Sequence, residues 1–201
     1  MSAIRPDFAE ILRLVKPGAR VLDVGCGEGD LLELLVKESG VDGRGVEISP
    51  EGVSACLARG LSVVQGDADR DLDYFPAEAF DYAILTQTLQ AMARPKHVLT
   101  ELLRIAGRAV VSLPNFGHWR VRLALLSGGR MPVTGALPDP WWSTPNIHLC
   151  TLADFVALTE DLGFRIEACA AFAGGAAARP IDPRGRLENL RAESALFVLS
   201  R

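Results

Sequence analysis

The sequence lacks the features of disulfide-rich, zinc-binding and membrane-spanning proteins. Its four cysteines lie far apart and form no Cys-x-x-Cys pair, so we expect reduced thiols. No metal site is expected, because the spacing of His118, His148 and Cys150 matches no usual zinc pattern. No apolar run reaches the roughly 18 residues that a membrane helix needs, and the N-terminus has no basic segment followed by an apolar one. These absences predict a cytoplasmic protein with no membrane span.

The sequence also lacks an excess of positive charge. Its 201 residues carry a formal net charge of −4, which argues against a general nucleic-acid binder. Hydrophobic residues make up 49% of the chain and charged residues 23%, as in a globular protein with a sizeable core. The length fits one domain with an elaboration, so we predict a single domain over 1–201.

Glycine, in contrast, is concentrated at one place near the start. The apolar run 21–24 predicts a buried parallel strand. Gly25, Gly27 and Gly29 follow at alternate positions, and leucines then recur at helical spacing over 31–36. Strand, glycine turn and helix form the first half of a nucleotide-binding βαβ unit. The alternative is a plain strand-turn-helix with a chance glycine cluster.

The spacing of these glycines narrows the choice of ligand. A dinucleotide site needs Gly-x-Gly-x-x-Gly, but Asp30 stands where the third glycine would fall, and its carboxylate would repel a pyrophosphate. The pattern, with Asp23 two residues before the first glycine, resembles motif I of class I S-adenosylmethionine (SAM) methyltransferases. The cofactor contacts predicted here are Asp23, Gly25, Cys26, Gly27 and Gly29.

Glu47 is the next candidate for a cofactor contact. It ends the strand predicted over 43–48, and ligands bind at the carboxyl edge of an open parallel sheet. A carboxylate there can accept both ribose hydroxyl protons, and the adjacent Ile48 is included in the predicted site. A solvated acid at a strand end is the alternative.

An acid after the third strand, predicted over 61–65, can contact the adenine. Asp67 with Ala68 fits the corresponding methyltransferase motif, with the acid accepting from the adenine amino group. Asp69 and Asp71 lie close by, so the sequence leaves open which acid has this role. An Asx turn at 66–67 is an equally good interpretation.

The segment after the fourth strand, predicted over 80–85, is where methyltransferases commonly place acceptor and methionine contacts. Thr86 is the predicted cofactor contact there. The segment lacks the Asn/Asp-Pro-Pro-Phe/Tyr sequence common in amide- and nucleobase-nitrogen methyltransferases, which weighs against that subclass. The candidates for holding an acceptor are Tyr82, Gln87, His118 and His148, with the two histidines the best candidates for a base. Each histidine also has a purely structural interpretation.

An insertion at about 114–150 interrupts the alternation of strands and helices. It holds all three tryptophans, five of the twelve prolines and two of the three histidines. Long irregular connections are usually lids or binding loops, and aromatic and Arg side chains are enriched in interfaces. The residues predicted for a lid or partner contact are Phe116, Trp119, Arg130, Trp141 and Trp142. Alternatively, the aromatic residues pack over the sheet edge as a small satellite core.

The whole pattern predicts an α/β, doubly wound Rossmann-like fold. Strands and helices alternate as far as residue 113, which implies a parallel sheet. The last two strands, over 164–171 and 194–199, are separated by a connection with no predicted helix, so they should form an antiparallel hairpin. We therefore expect the class I methyltransferase sheet of seven strands, in the order 3-2-1-4-5-7-6.

Four segments in the middle of the chain point to one family. They are Gln-Thr-Leu-Gln-Ala at 87–91, Pro-Asn-Phe-Gly-His-Trp at 114–119, Gly-Arg-Met-Pro-Val-Thr at 129–134 and Thr-Pro-Asn-Ile-His-Leu-Cys-Thr at 144–151. They closely resemble the methionine-biosynthesis protein family MetW. The resemblance implies a SAM-dependent methyltransferase fold, a role in bacterial methionine synthesis, and a MetX-type homoserine O-acyltransferase as partner. It implies no methyl acceptor.

Two functions therefore compete. In the first, the protein binds SAM or S-adenosylhomocysteine and activates the acyltransferase by docking through the insertion. In the second, it is a catalytically active methyltransferase on an unknown small-molecule acceptor. An NAD-dependent dehydrogenase is disfavoured by Asp30 and by the short glycine spacing.

Overall fold

The computed structural model describes residues 5–135 and 137–201. The helices are α1 (Pro6–Leu14), α2 (Asp30–Ser39), α3 (Pro50–Ala58), α4 (Pro95–Ile105), α5 (Trp119–Gly128), α6 (Leu152–Asp161) and α7 (Arg186–Arg191). The strands are β1 (Arg20–Val24), β2 (Asp42–Glu47), β3 (Ser62–Gln65), β4 (Phe80–Thr86), β5 (Ala106–Pro114), β6 (Arg165–Phe172), β7 (Arg179–Pro180) and β8 (Ser194–Ser200). Short 3-10 turns occupy Leu72–Tyr74 and Leu89–Ala91.

The strands form one sheet in the order β3-β2-β1-β4-β5-β8-β6-β7. Strands β1 to β5 run parallel to one another, whereas β8 runs antiparallel to both β5 and β6. The predicted class I methyltransferase architecture is confirmed, with β8 in the place of the predicted seventh strand. The sheet has one more strand than predicted, because the two-residue β7 pairs with Ala170 and Ala171 at the outer edge. Two residues are too few to show a period-2 pattern in a sequence.

The connection between β6 and β8 corrects one detail of the prediction. It contains β7 and the short helix α7, although no helix was predicted there. The helix has no buried residue and no side-chain cap, so neither an amphipathic pattern nor a cap signal marks it in the sequence. It is held by tertiary hydrogen bonds, since Asn115 Nδ2 donates to the carbonyls of Asn189 and Ala192, both at 2.8 Å.

The core lies on both faces of the sheet, and β1 contributes to each. Val21 packs with Ile11 and Leu35 on the side of α1 and α2. Leu22 and Val24 belong to the larger cluster on the other face, which includes side chains of α4 and α6. This alternation explains why the run 21–24 is apolar almost throughout, as expected for a strand covered by helices on both faces.

The parallel strands place their carboxyl ends along one edge of the sheet, at Val24, Glu47, Gln65, Thr86 and Pro114. The predicted ligand-binding residues lie at or just beyond these strand ends, with the exceptions described below. Among the described helices, none is both long and apolar enough to cross a membrane.

Candidate functional site

The glycine loop connects the end of β1 to the start of α2. The backbone amides of Gly25 and Cys26 donate to the carbonyl of Val46 at 2.8 and 3.2 Å, which fixes the loop against β2. Gly29 has a φ of +84°, and a Cβ there would lie only 2.5 Å from Leu61 Cδ1. Packing therefore explains this glycine without any ligand.

Gly27 differs from Gly29, because packing does not explain it. Its φ is +56°, and a Cβ at this position would meet no atom within 4 Å among the described residues. The backbone at Gly27 is therefore open to close approach, which is what a glycine loop offers to a bound nucleoside.

Glu47 joins this loop to the start of α3. One carboxylate oxygen accepts the backbone amide of Gly27 and the other accepts the amide of Ser49, both at 2.8 Å. Ser49 in turn caps α3 by accepting the amide of Gly52 at 3.2 Å. Because each carboxylate oxygen has a further lone pair, Glu47 can still accept hydroxyl donors. The exposed Ile48 stands beside it, with 63% of its surface accessible.

Asp23 is the most deeply buried charged group at this edge, with 1% of its surface accessible. Its Oδ1 has no hydrogen-bond partner among the described residues. Burial, and secondly the nearby charge of Glu47, raise the pKa of Asp23 from 3.8 to about 7. A buried acceptor without a donor is costly, so this oxygen fits a ligand that brings a donor.

Cys26 lies in the glycine loop, and its side chain faces Cys56. Its Sγ lies 4.0 Å from Cys56 Sγ, and Cys56 Sγ donates to the carbonyl of Gly27 at 3.3 Å. Burial, then the charge of Asp23, raise the pKa of the Cys26 thiol far above its usual range. The thiol is therefore neutral at physiological pH and is not an activated nucleophile.

The three acids beyond β3 have different hydrogen-bond partners. Asp69 accepts the backbone amides of Ala93 and Arg94 at 2.8 and 2.7 Å, immediately before α4. Asp71 Oδ2 accepts the amide of Asp67 at 2.7 Å.

Asp67 forms the Asx turn that was the alternative interpretation, since its Oδ1 accepts the amide of Asp69 at 2.9 Å. Among the described residues, its Oδ2 has only a distant contact, 3.6 Å from Arg70 Nε. Asp67, followed by the buried Ala68, therefore keeps an oxygen that can accept a further donor.

The segment after β4 is tightly fixed at the same edge. The carbonyl of Thr86 accepts Thr88 Oγ1 at 2.7 Å. Gln87 adopts a φ of +53°, which is uncommon for a residue other than glycine. Its amide donates to Ser112, and its carbonyl accepts Gln90 Nε2 at 2.7 Å.

The four acceptor candidates are not brought together. Tyr82 lies near the amino end of β4, buried in the cluster that contains Ile11 and Val15, on the far side from Gln87. His118 is buried at the start of α5. His148 has an exposed side chain. We therefore give Tyr82 no part in the site.

The two histidines differ in their surroundings. Burial lowers the pKa of His118, so its ring is neutral at pH 7 and can accept a proton. A small cavity of about 30 Å³ is lined by both His118 and Glu193. The backbone amide of His148 donates to the carbonyl of Gln90 at 2.9 Å, which ties the insertion to the segment after β4.

The aromatic residues of the insertion (114–150) divide into two groups. Phe116 is partly buried, and its amide donates to the carbonyl of Cys150 at 3.0 Å. Trp141 and Trp142 form an edge-to-face pair that remains 69% and 72% exposed. Trp119 and Arg130 are exposed as well. The satellite-core alternative therefore does not hold for the two adjacent tryptophans.

Comparison with known proteins decides the family. A family model described as "Methionine biosynthesis protein MetW" matches residues 5–199. The chain belongs to the MetW family. The bifunctional methionine biosynthesis protein MetXA/MetW of Rhodopirellula baltica is 34% identical over 170 residues, which cover 80% of this chain and 27% of that protein. Ajmaline N-methyltransferase of Rauvolfia serpentina is 26% identical over 182 residues, which cover 86% of this chain and 59% of that enzyme.

This MetW chain thus spans about a quarter and about three-fifths of the lengths of these two relatives. Among solved structures, it resembles a SAM-dependent methyltransferase of Thermotoga maritima described as a possible histamine N-methyltransferase. The TM-score is 0.69 at 17% identity, over 98% of this chain and 89% of that one. At this identity the likeness shows the fold alone.

Two residues of this MetW chain were missed as site or scaffold residues by sequence reasoning. Gln90 is buried beside Gln87, and its Oε1 has no partner among the described residues. Asn115 is buried where the insertion begins, and its Oδ1 accepts the amides of Gly117 and Leu152 at 2.9 and 3.3 Å. Both residues fall in segments that resemble the family, but their hydrogen bonds depend on distant backbone that a sequence pattern does not reveal.

A cluster of Asp73, His97 and Glu101 was also missed. One ligand atom from each lies within 4.8 Å of the others. Glu101 Oε2, however, accepts Arg104 Nε at 2.6 Å, and His97 Nε2 is 3.2 Å from Asp73 Oδ1. The cation that faces Glu101 is therefore an arginine of the chain itself, and we assign the cluster no metal.

Proposed function

We propose that this chain binds SAM or S-adenosylhomocysteine at the carboxyl edge of its sheet and acts in methionine biosynthesis as partner and activator of a MetX-type homoserine O-acyltransferase. The observation that carries the cofactor part is the open space at Gly27, flanked by the acceptors Glu47 and Asp23. Methyltransferase-fold neighbours support the same assignment.

The residues at this edge match the parts of the cofactor. Glu47 has acceptor capacity for the two ribose hydroxyls, and Asp67 for the adenine amino group. The exposed side chain of Ile48 offers an apolar surface for the base. The buried Oδ1 of Asp23 needs a donor, which the ammonium group of the methionyl part supplies. We include Cys26, Ala68 and Thr86 in the proposed site, because they lie in the glycine loop, in the segment after β3 and at the end of β4.

The partner assignment is supported by two independent facts. A relative carries MetXA and MetW in one bifunctional protein, which indicates that the two functions operate together. The insertion (114–150) also exposes Trp141 and Trp142 as a pair. Adjacent exposed aromatic residues of this kind are enriched at the centres of protein interfaces. We therefore propose the insertion as the docking surface, with Phe116, Trp119 and Arg130 as further members.

Co-purification and an activity assay test this proposal. The acyltransferase from the same genome is expressed with and without this chain, and the acyl transfer to homoserine is measured for each preparation. We expect a stable complex and a higher rate in the presence of the chain. Absence of a complex together with an unchanged rate would reject the partnership. Calorimetry with SAM, S-adenosylhomocysteine and NAD on the isolated chain tests the cofactor separately.

A second candidate function, a catalytically active methyltransferase, is favoured by one observation. Glu193 lines both the small cavity beside His118 and a larger groove that Gln87 and Gln90 line. Glu193 thus borders both the cavity that His118 lines and the groove proposed here for an acceptor, and His118 is neutral at pH 7. SAM supplies an electrophilic methyl group when it is bound, and the chain would need chiefly to orient an acceptor and exclude water. Transfer of label from radiolabelled SAM to a component of a cell extract would establish this function, and tight SAM binding with no transfer would reject it.

A further inference from the structure

A groove of about 520 Å³ opens at the carboxyl edge of the sheet, beside the end of β4. Its wall includes Gln87, Gln90 and Pro114 from the strand ends, Asp139 from the insertion, and Glu193 from the segment before β8. It is separate from the glycine loop, because neither the loop nor Glu47 lines it. The groove therefore offers a second binding space beside the one proposed for the cofactor.

Gln90 gives the groove a buried acceptor. The residue is 5% exposed. Its Nε2 donates to the carbonyl of Gln87 at 2.7 Å, and its Oε1 is left without a donor among the described residues. The backbone carbonyl of Gln90 already accepts the amides of Ile147 and His148, both at 2.9 Å. The insertion thus fixes the backbone of Gln90 and Gln87 fixes its side-chain amide. Oε1 is left as a buried acceptor among the described residues, which a ligand with a hydrogen-bond donor would satisfy.

The charged residues around the groove also favour a ligand that donates hydrogen bonds. Arg5 and Asp7 are both in the wall and form a bidentate ion pair, at 3.1 and 2.6 Å, so they cancel. Asp139 and Glu193 remain. Glu193 Oε2 accepts the amide of Gly174 at 2.8 Å, and its Oε1 lies 3.9 Å from the exposed Arg120. Among the described residues, Asp139 therefore has no paired cation, and Glu193 has only the distant Arg120.

We propose that this groove binds a small molecule through a primary ammonium group. The ammonium has three donors and one positive charge. It can satisfy the orphaned Oε1 of Gln90 and compensate the carboxylates of Glu193 and Asp139, which neither a neutral alcohol nor a carboxylic acid can do. The inference deepens the proposed function, because it gives the class of the second ligand that meets the cofactor at the same sheet edge.

The probes are three molecules of equal size and different charge. The ¹H–¹⁵N NMR spectrum of the full chain is titrated at pH 7 and constant ionic strength with n-butylammonium, 1-butanol and butyrate. We expect saturable shifts at Gln87, Gln90 and Glu193 with n-butylammonium, at an affinity at least fivefold higher than that of 1-butanol. Equal responses to n-butylammonium and 1-butanol would overturn the proposal.

Isosteric variants locate the binding. Glu193→Gln removes the charge while keeping an oxygen that can accept the amide of Gly174. Asp139→Asn likewise removes a negative charge with little change in side-chain size, at an exposed position. Each should weaken n-butylammonium binding at least threefold. Glu38→Gln, an exposed acid on α2, is the matched control and should leave the affinity unchanged. A similar loss in all three variants, or no loss in Glu193→Gln, would show adsorption to surface charge and reject the site.

The two proposals fail in different ways. Calorimetry with SAM on the same sample measures binding at the cofactor site, whereas the butylammonium titration measures binding in the groove. SAM binding without ammonium selectivity would overturn only the groove assignment. Ammonium binding without SAM binding would overturn only the cofactor assignment.

Discussion

The carboxylate of Glu47 accepts the backbone amides of Gly27 and Ser49 at the same distance, 2.8 Å. One side chain at the end of β2 thereby joins the glycine loop to the first turn of α3. The loop that presents Gly27 and the acid that would bind a ribose are therefore a single hydrogen-bonded unit. A change in either residue should affect both the shape of the loop and the binding of a cofactor.

Glu47→Gln should weaken SAM binding about tenfold, which is about 1.4 kcal/mol. The variant keeps the size of the side chain but removes its charge, and its NH₂ group faces a backbone donor where an oxygen accepted before. Glu51→Gln is the control, because Glu51 is an exposed acid in the same turn whose carboxylate accepts the Ser49 hydroxyl and not an amide of the glycine loop. Calorimetry measures both, and an unchanged affinity for Glu47→Gln would place the ribose elsewhere.

Gly27→Ala should abolish or greatly weaken SAM binding, whereas Gly40→Ala should not affect it. The two glycines form a matched pair, with φ of +56° and +60°, and at both positions an added Cβ would meet no described atom within 4 Å. Both variants should lose about 1–2 kcal/mol of stability from the left-handed backbone conformation. Only Gly27 faces the proposed cofactor space. Urea denaturation and calorimetry separate the two effects, and equal SAM affinities in the two variants would contradict the assignment.

The free energy of unfolding should decrease as the pH rises from about 4 to about 7. Asp23 has a pKa of about 7 in the folded protein, above the value of 3.8 expected when it is exposed. The folded state therefore binds more protons in this range, and the stability it gains at low pH is lost as Asp23 ionises. The loss is on the order of 4 kcal/mol at most, because each unit of pKa difference corresponds to about 1.4 kcal/mol.

Asp23→Asn should flatten this pH profile, because the buried charge can no longer form. The exposed Asp42→Asn provides the control and should keep the slope of the unaltered protein. Urea denaturation at pH 5, 6, 7 and 8 measures both. Identical slopes in Asp23→Asn and in the unaltered protein would mean that another group causes the pH dependence.

Asn115→Ala should destabilise the protein by about 2–4 kcal/mol. The change removes the donors to the carbonyls of Asn189 and Ala192 and the acceptor for Gly117, and it leaves those buried groups unpaired. Asn146→Ala, at a partly buried position where the backbone amide makes the one hydrogen bond found among the described residues, should change stability by less than about 0.5 kcal/mol. Thermal denaturation compares the two, and similar losses would show that Asn115 has no special structural role.

Replacing Trp141 and Trp142 together by alanine should weaken the complex with the acyltransferase at least tenfold and leave folding unchanged. Both rings are largely exposed, so their loss removes contact area from an interface without opening a cavity. Tyr74→Ala is the control, since Tyr74 is an exposed aromatic residue outside the insertion. Co-purification yields and circular dichroism measure the two effects. An intact complex in the double variant would show that the two tryptophans are not part of the docking surface.

Several features followed from the sequence because their signals are local. The apolar run 21–24, the alternating glycines and the helical leucines lie within 16 consecutive residues, and together they predicted β1, the loop and α2. The regular alternation of strands and helices predicted a parallel sheet, and a parallel sheet aligns its carboxyl ends. Glu47 could therefore be placed beside the glycine loop from the sequence, although the two are 20 residues apart.

Other features depended on contacts between distant segments. The sequence could not distinguish Asp67 from Asp69, because Asp69 binds the backbone amides of Ala93 and Arg94, more than 20 residues away. Asp71 differs from both, because it accepts the backbone amide of Asp67. Tyr82 looked like a site residue because it lies on the strand that leads to the site, but its position along that strand places it at the opposite end.

By itself, the sequence determined the type of fold, the place of the glycine loop and the identity of the acid at the end of β2. Tertiary structure decided which buried polar groups have no partner among the described residues, as with Asp23 Oδ1 and Gln90 Oε1, and which are engaged, as in Asn115. The physical reason is the distance along the chain over which each effect acts. Hydrophobic periodicity and glycine torsions act over a few residues, whereas the partner of a buried polar group is chosen by whichever segment folding brings within hydrogen-bond distance.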